Sequence, residues 1–192
     1  MLFIGLILIN PFIHVPNMEE AQVLLQPDTL VITVDNYEEL AGWRDSVMAS
    51  DDYETLMLTV AENRDTWVAY SFGLDKFYPP SWQYEVYLDS LPDFLVQLPH
   101  LRNLNLAYTG ISRLPEDLSQ LTNLERLDLS CNYFDLDEEL PKLLALPNLR
   151  SLAVFGYEIT PTHREMIREM NPELKVYYTL EDAKEYYQLE EK

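Results

Sequence analysis

Apolar positions in the middle of this chain repeat as a pattern. Three stretches, Leu101 to Ile111, Leu124 to Phe134 and Leu149 to Ile159, read L-x-x-L-x-(L/V)-x-x-(N/T/Y)-x-(I/F), and their starts lie 23 and then 25 residues apart. Self-similarity at a period of 20–29 residues marks stacked repeats, each one supersecondary unit that cannot bury its own apolar face. Within each stretch the short alternation predicts a strand. Leu104 and Leu106 then point inward while Asn103, Asn105 and Ala107 point out.

A looser version of the rhythm extends in both directions. Alternation of Leu30, Ile32 and Val34 predicts a strand over 29–34. Asn36-Tyr-Glu-Glu39 predicts a capped helix running to about Ala49, and 55–60 reads as the next strand, with Leu56, Leu58 and Val60 inward. Tyr84–Leu88 offers another strand. Downstream, Thr162-His-Arg-Glu165 predicts a capping box opening a helix to Met170, and Asn171-Pro172 ends it. A closing strand over Leu174–Tyr178 and a last acidic helix over Thr179–Glu191 complete the pass. The strand starts, near 30, 56, 84, 104, 127, 152 and 174, imply one continuous parallel solenoid. Its weak link is Glu62–Ser81, an aromatic-rich connection with Trp67, Phe72, Tyr78 and Pro79-Pro80, read together with Trp82 as packing material for a cap.

The segment 91–159 resembles the leucine-rich-repeat family. Leu91-Pro-Asp-Phe-Leu-Val-Gln-Leu98 and Leu114-Pro-Glu-Asp-Leu-Ser-Gln-Leu121 are near copies, each feeding a strand. The resemblance implies an α/β solenoid with a parallel β-sheet on the concave face and short helices or irregular segments on the convex face. It implies protein–protein interaction through that face. The position that usually holds Asn is filled by Thr109, Asn132 and Tyr157. Asn132 meets its requirement, Thr109 meets part of it, and Tyr157 does not, which places the end of the array there. The expected organisation is an apolar lead-in over 1–28, divergent repeat-like sequence or a cap over 29–90, repeats over 91–160 and a carboxy-terminal cap over 161–192.

Charge changes the list of partners. The chain carries 13 Lys and Arg against 33 Asp and Glu, a formal charge of −20, and most of the excess lies in residues 1–97. Such a field repels phosphate backbones, so nucleic acid is excluded as the expected partner. A single cysteine, Cys131, rules out an internal disulfide and tilts the expected location to a reducing, cytoplasmic compartment. Met1–Ile9 is apolar but too short to span a bilayer as a helix, which takes about 20 residues. It reads as a packed element of the cap, with a degenerate signal sequence and secretion, or a misplaced start, as the rivals. No stable membrane insertion is expected, and oligomeric state is left open.

Outward strand positions form three columns across the repeats: Asn103, Arg126, Ser151; Asn105, Asp128, Ala153; and Ala107, Ser130, Phe155. Interfaces draw their anchors from Tyr, Phe and Arg. The candidate partner-binding set is therefore Asn103, Asn105, Tyr108, Arg126, Asp128, Ser151 and Phe155. Catalysis has weak support. Cys131 with His100 or His163 lacks a shared edge and a glycine-rich oxyanion loop. Asp135-Leu-Asp-Glu-Glu139 lacks the glycine and distal Glu of a calcium loop and reads as an acidic helix start. No phosphate loop or zinc helix occurs, so no cofactor or metal is expected. The sequence thus points to a non-catalytic binding module. The alternatives are an acidic decoy for a basic protein or a fragment of a larger repeat protein, and an enzyme comes last.

Overall fold

A computed structural model describes residues 28–34, 37–49, 51–60, 88–107, 109–179, 182, 185 and 186. Eight strands are present among them: β1 (Thr29–Val34), β2 (Thr55–Val60), β3 (Asp89–Ser90), β4 (Asn103–Asn105), β5 (Ile111–Arg113), β6 (Arg126–Asp128), β7 (Ser151–Ala153) and β8 (Lys175–Tyr177). Six of them form one all-parallel sheet in the order β1-β2-β4-β6-β7-β8. The chain is an α/β solenoid built on a parallel sheet. Helices α1 (Tyr37–Gly42), α2 (Arg44–Met48), α3 (Leu136–Leu144) and α4 (Pro161–Met170), with a 3-10 turn at Asp93–Val96, supply the returns between strands.

The repeated leucines make the interior. Leu101, Leu124 and Leu149 open the strands, Leu104, Leu127 and Leu152 sit at their centres, and all six are buried in one continuous core that runs from Ile32 to Leu174. Each such side chain contributes roughly 1.5–3 kcal/mol when fully removed from water. No repeat could supply that alone.

Polar side chains tie neighbouring repeats together at two levels. Asn132 accepts from the Thr109 and Ile111 amides and the Thr109 hydroxyl, and donates to the Leu106 and Leu129 carbonyls. Thr109, fully buried, also places its hydroxyl 2.8 Å from the Leu106 carbonyl of its own turn. Before each strand, Asn123 donates to the Pro99 carbonyl, Asn148 to Thr122 and Asn171 to Leu149. At the position equivalent to Asn123 and Asn148, the first repeat has His100, whose ring meets Tyr53 edge-on at 4.7 Å.

Several expectations need correction. β2 pairs directly with β4, Thr55 opposite Asn103, so no strand lies between these two and the regular repeat spacing is not kept from one to the next; the strand expected over Tyr84–Leu88 lies, except for Leu88, outside the described residues. β3 pairs with β5 in a separate two-stranded sheet. The helix expected over 36–49 is two, interrupted at Trp43, and the Asn36 cap lies outside the described residues. The cap of α4 is Thr160 rather than Thr162, because Pro161 takes the first helical position that suits its fixed φ. His163 replaces the acidic partner, exchanging hydrogen bonds of 3.2 Å with Thr160. The apolar start, 1–27, and the aromatic connection, 61–87, also lie outside the described residues.

Candidate functional site

Strand register sets the concave face. The first outward column runs Thr55, Asn103, Arg126, Ser151, Lys175, and the second Met57, Asn105, Asp128, Ala153, Tyr177. Asn103, Arg126 and Ser151 are half-buried neighbours as their spacing implied, and Lys175, exposed, extends the row by one strand. Asn103 donates to the Thr55 hydroxyl at 2.9 Å.

The second column has a local task. Asn105 Oδ1 accepts from the Ala107 amide and Asp128 Oδ1 from the Ser130 amide, both at 3.0 Å, so each side chain turns the chain at its strand end. Ala153 has no such group. The matching amide, Phe155 N–H, is taken across the repeat by the Ser130 hydroxyl at 3.0 Å. These turns need a left-handed residue next, and Cys131 (φ 55) and Gly156 (φ 91) supply it. Tyr108, another member of the candidate set, lies outside the described residues.

The face is covered around Phe155. Ala153, Phe155, Tyr177 and Tyr186 form a second apolar cluster, separate from the core beneath the sheet. Tyr186 meets Tyr177 at 4.9 Å and Phe155 at 6.2 Å, both edge to face. The Arg126 guanidinium lies 4.8 Å from the Tyr186 ring centroid and donates to its backbone carbonyl at 3.0 Å. Lys175 pairs with Glu185. Burial raises the Tyr186 phenol above the usual tyrosine range; the Asp128 charge adds to this, and Arg126 opposes it. Phe155 and Asp128 are each 1% exposed.

Tyr186 is held there by a second capping box. The Asp182 carboxylate accepts from the amides of Tyr178 and Thr179, and the Asp182 amide donates to the Thr179 hydroxyl. Residues 182, 185 and 186 are helical, in keeping with the acidic helix expected after Thr179. Tyr186 is one turn on from Asp182, on the same face. Lys175, Tyr177 and Tyr186 were missed from the sequence. Carrying the outward columns one repeat further would have found the first two. Nothing local signals the third.

The residues considered for catalysis stay apart. The Cys131 thiol faces the Phe155 carbonyl at 3.6 Å. His163 Nδ1 accepts from the Thr160 amide, which leaves the proton on Nε2, 2.6 Å from Asp137 on α3. His100 meets Tyr53 edge to face. Asp135 caps α3 by accepting from the Asp137 amide at 2.9 Å, so the acidic run is a helix start.

Residues 99–142 match the family described as leucine rich repeats (2 copies). The chain carries leucine-rich repeats in this region. It is 42% identical over 60 residues to the disease resistance RPP13-like protein 2 of Arabidopsis thaliana, a match covering 31% of this chain and 7% of that protein. The chain thus spans a small part of that relative's length. A leucine-rich-repeat protein of Leptospira interrogans aligns over 66% of this chain and 30% of its own, at 22% identity and a TM-score of 0.40. Leucine-rich-repeat proteins generally mediate protein–protein interaction, and the family is typically non-enzymatic. Among the described residues no helix is long and apolar enough to cross a membrane.

Proposed function

We propose that this chain is a non-catalytic interaction module that binds a protein partner through the concave face of its sheet. The observation that carries the reading is the in-register row Asn103, Arg126, Ser151 and Lys175, polar side chains aligned across four adjacent parallel strands. Such a row offers hydrogen bonds and charge at a regular spacing of about 4.8 Å. Arg126 and Phe155 supply the residue types that anchor interfaces. Asn105 and Asp128 hold the strand ends that shape the edge of the same face.

Affinity capture at low and high salt tests this. Arg126→Glu should reduce partner recovery at least tenfold while leaving the thermal transition within a few degrees, because the side chain is half-exposed and outside the core. A partner recovered equally well by Arg126→Glu would remove the concave face from the proposal. Recovery only of basic proteins, lost at high salt, would instead favour capture by the acidic charge, which is screened over about 8 Å at physiological ionic strength.

A further inference from the structure

We propose that the segment carrying Glu185 and Tyr186 is an internal occupant of the concave face, and that the partner competing with it presents a tyrosine preceded by an acidic residue. The inference rests on the reading that this face binds protein, and specifies the chemistry it takes.

Coverage of the sheet edge does not account for the contact. A cap that protects an edge strand needs to reach β8 alone. Tyr186 touches Tyr177 on β8, then Phe155 just past β7, then Arg126 on β6, two strands in from the edge. That reach is about 10 Å across the sheet. The contacts also have the make-up of a recognition pocket. One aromatic ring is boxed by two others, a guanidinium lies over its face while donating to its carbonyl, and a lysine pairs with the preceding carboxylate. Interface anchors of this kind are aromatic residues in desolvated pockets, and cation–π contact adds to them.

Charge decides which ligand fits. On a chain of net charge −20, the groups meeting the segment are Arg126 and Lys175, with Asp128 beside the phenol. An acidic residue before the tyrosine answers Lys175. Asp128 beside the ring disfavours a phosphorylated tyrosine, whose charge it would repel. The ligand class is therefore an unmodified Glu-Tyr or Asp-Tyr sequence on a helical turn.

The test uses a labelled synthetic peptide of residues 179–192, titrated to millimolar concentration against full-length wild type and full-length Tyr186→Ala. An internal occupant is present at a high effective concentration, so it masks its site from the same sequence added in trans. The peptide should bind Tyr186→Ala at least tenfold more tightly than wild type. A peptide carrying Tyr186→Ala should bind neither chain. Glu185→Lys, at an exposed position, should unmask the site in the same direction, and serves where Tyr186→Ala fails to fold. Equal affinity for both chains, or no binding to either, would overturn the inference. Partner recovery by Arg126→Glu reports separately on the face itself. If recovery falls while the peptide fails to bind, the face stands and the occupant does not.

Discussion

Asn132 shows how much a single polar side chain can hold in this architecture. Its amide serves the turn of its own repeat and the turn of the one before, through groups that have little access to water. Asn132→Ala would strand several of them at once, and a buried polar group without a partner costs about 1–3 kcal/mol. Urea unfolding should show a loss of about 3 kcal/mol, whereas Thr109→Ser, which keeps the hydroxyl bond to Leu106, should stay within about 1 kcal/mol. Gly156 is a second sensitive position. An added Cβ would meet the Cys131 thiol only at an ordinary 3.5 Å, so space is not the obstacle; the φ of +91° is. Gly156→Ala should cost about 1–2 kcal/mol through backbone strain alone.

Elements differ in how visibly their causes are written in the sequence. Strands β4, β6 and β7 and their inward leucines follow directly from the eleven-residue pattern, since alternation and burial are local consequences of spacing. The columns Asn103–Arg126–Ser151 and Asn105–Asp128–Ala153 were legible for the same reason. Asp89–Ser90 shows the limit of periodicity: these residues join β5 in a second sheet, because membership of a sheet depends on partners far away in the chain. Thr160 illustrates another, because Thr162 with Glu165 satisfies the capping pattern equally well on paper, and Pro161 decides between them. The covering of Phe155 and its neighbours was not legible, since it depends on contacts with Tyr186 far along the chain. Those contacts hang on the Thr179–Asp182 cap. Bonds from Tyr178 and Thr179 outweigh burial and hold the Asp182 carboxyl below its ordinary 3.8, so the cap's stabilisation is complete above that value and is lost as pH falls through and below it. Hydrogen exchange should show the Tyr178 and Thr179 amides losing protection on Asp182→Ala at neutral pH, with the β6 and β7 amides unchanged. A loss spread evenly over the sheet would mean the cap is integral to the array.

At the scale of the molecule, the solenoid is a core beneath a sheet with a second, smaller apolar cluster above it. Tyrosines bury their phenols in both. Tyr53, whose hydroxyl donates to the Val47 carbonyl at 2.9 Å, is pushed up to about 12 by burial, and Tyr186 is raised for the same reason. A raised phenol contributes stability in full below its ordinary value of 10.0 and loses it as pH climbs through the folded value. Urea midpoints should therefore hold up to about pH 10 and fall beyond it, with a shallower alkaline slope in Tyr53→Phe.

The central claim is that the concave face, once clear of Tyr186, binds a protein partner. Its most direct test is quantitative capture by three full-length chains: wild type, Tyr186→Ala and the double variant Tyr186→Ala/Arg126→Glu. We predict that Tyr186→Ala recovers more partner than wild type and that the double variant recovers almost none. Equal recovery by Tyr186→Ala and the double variant would contradict the claim.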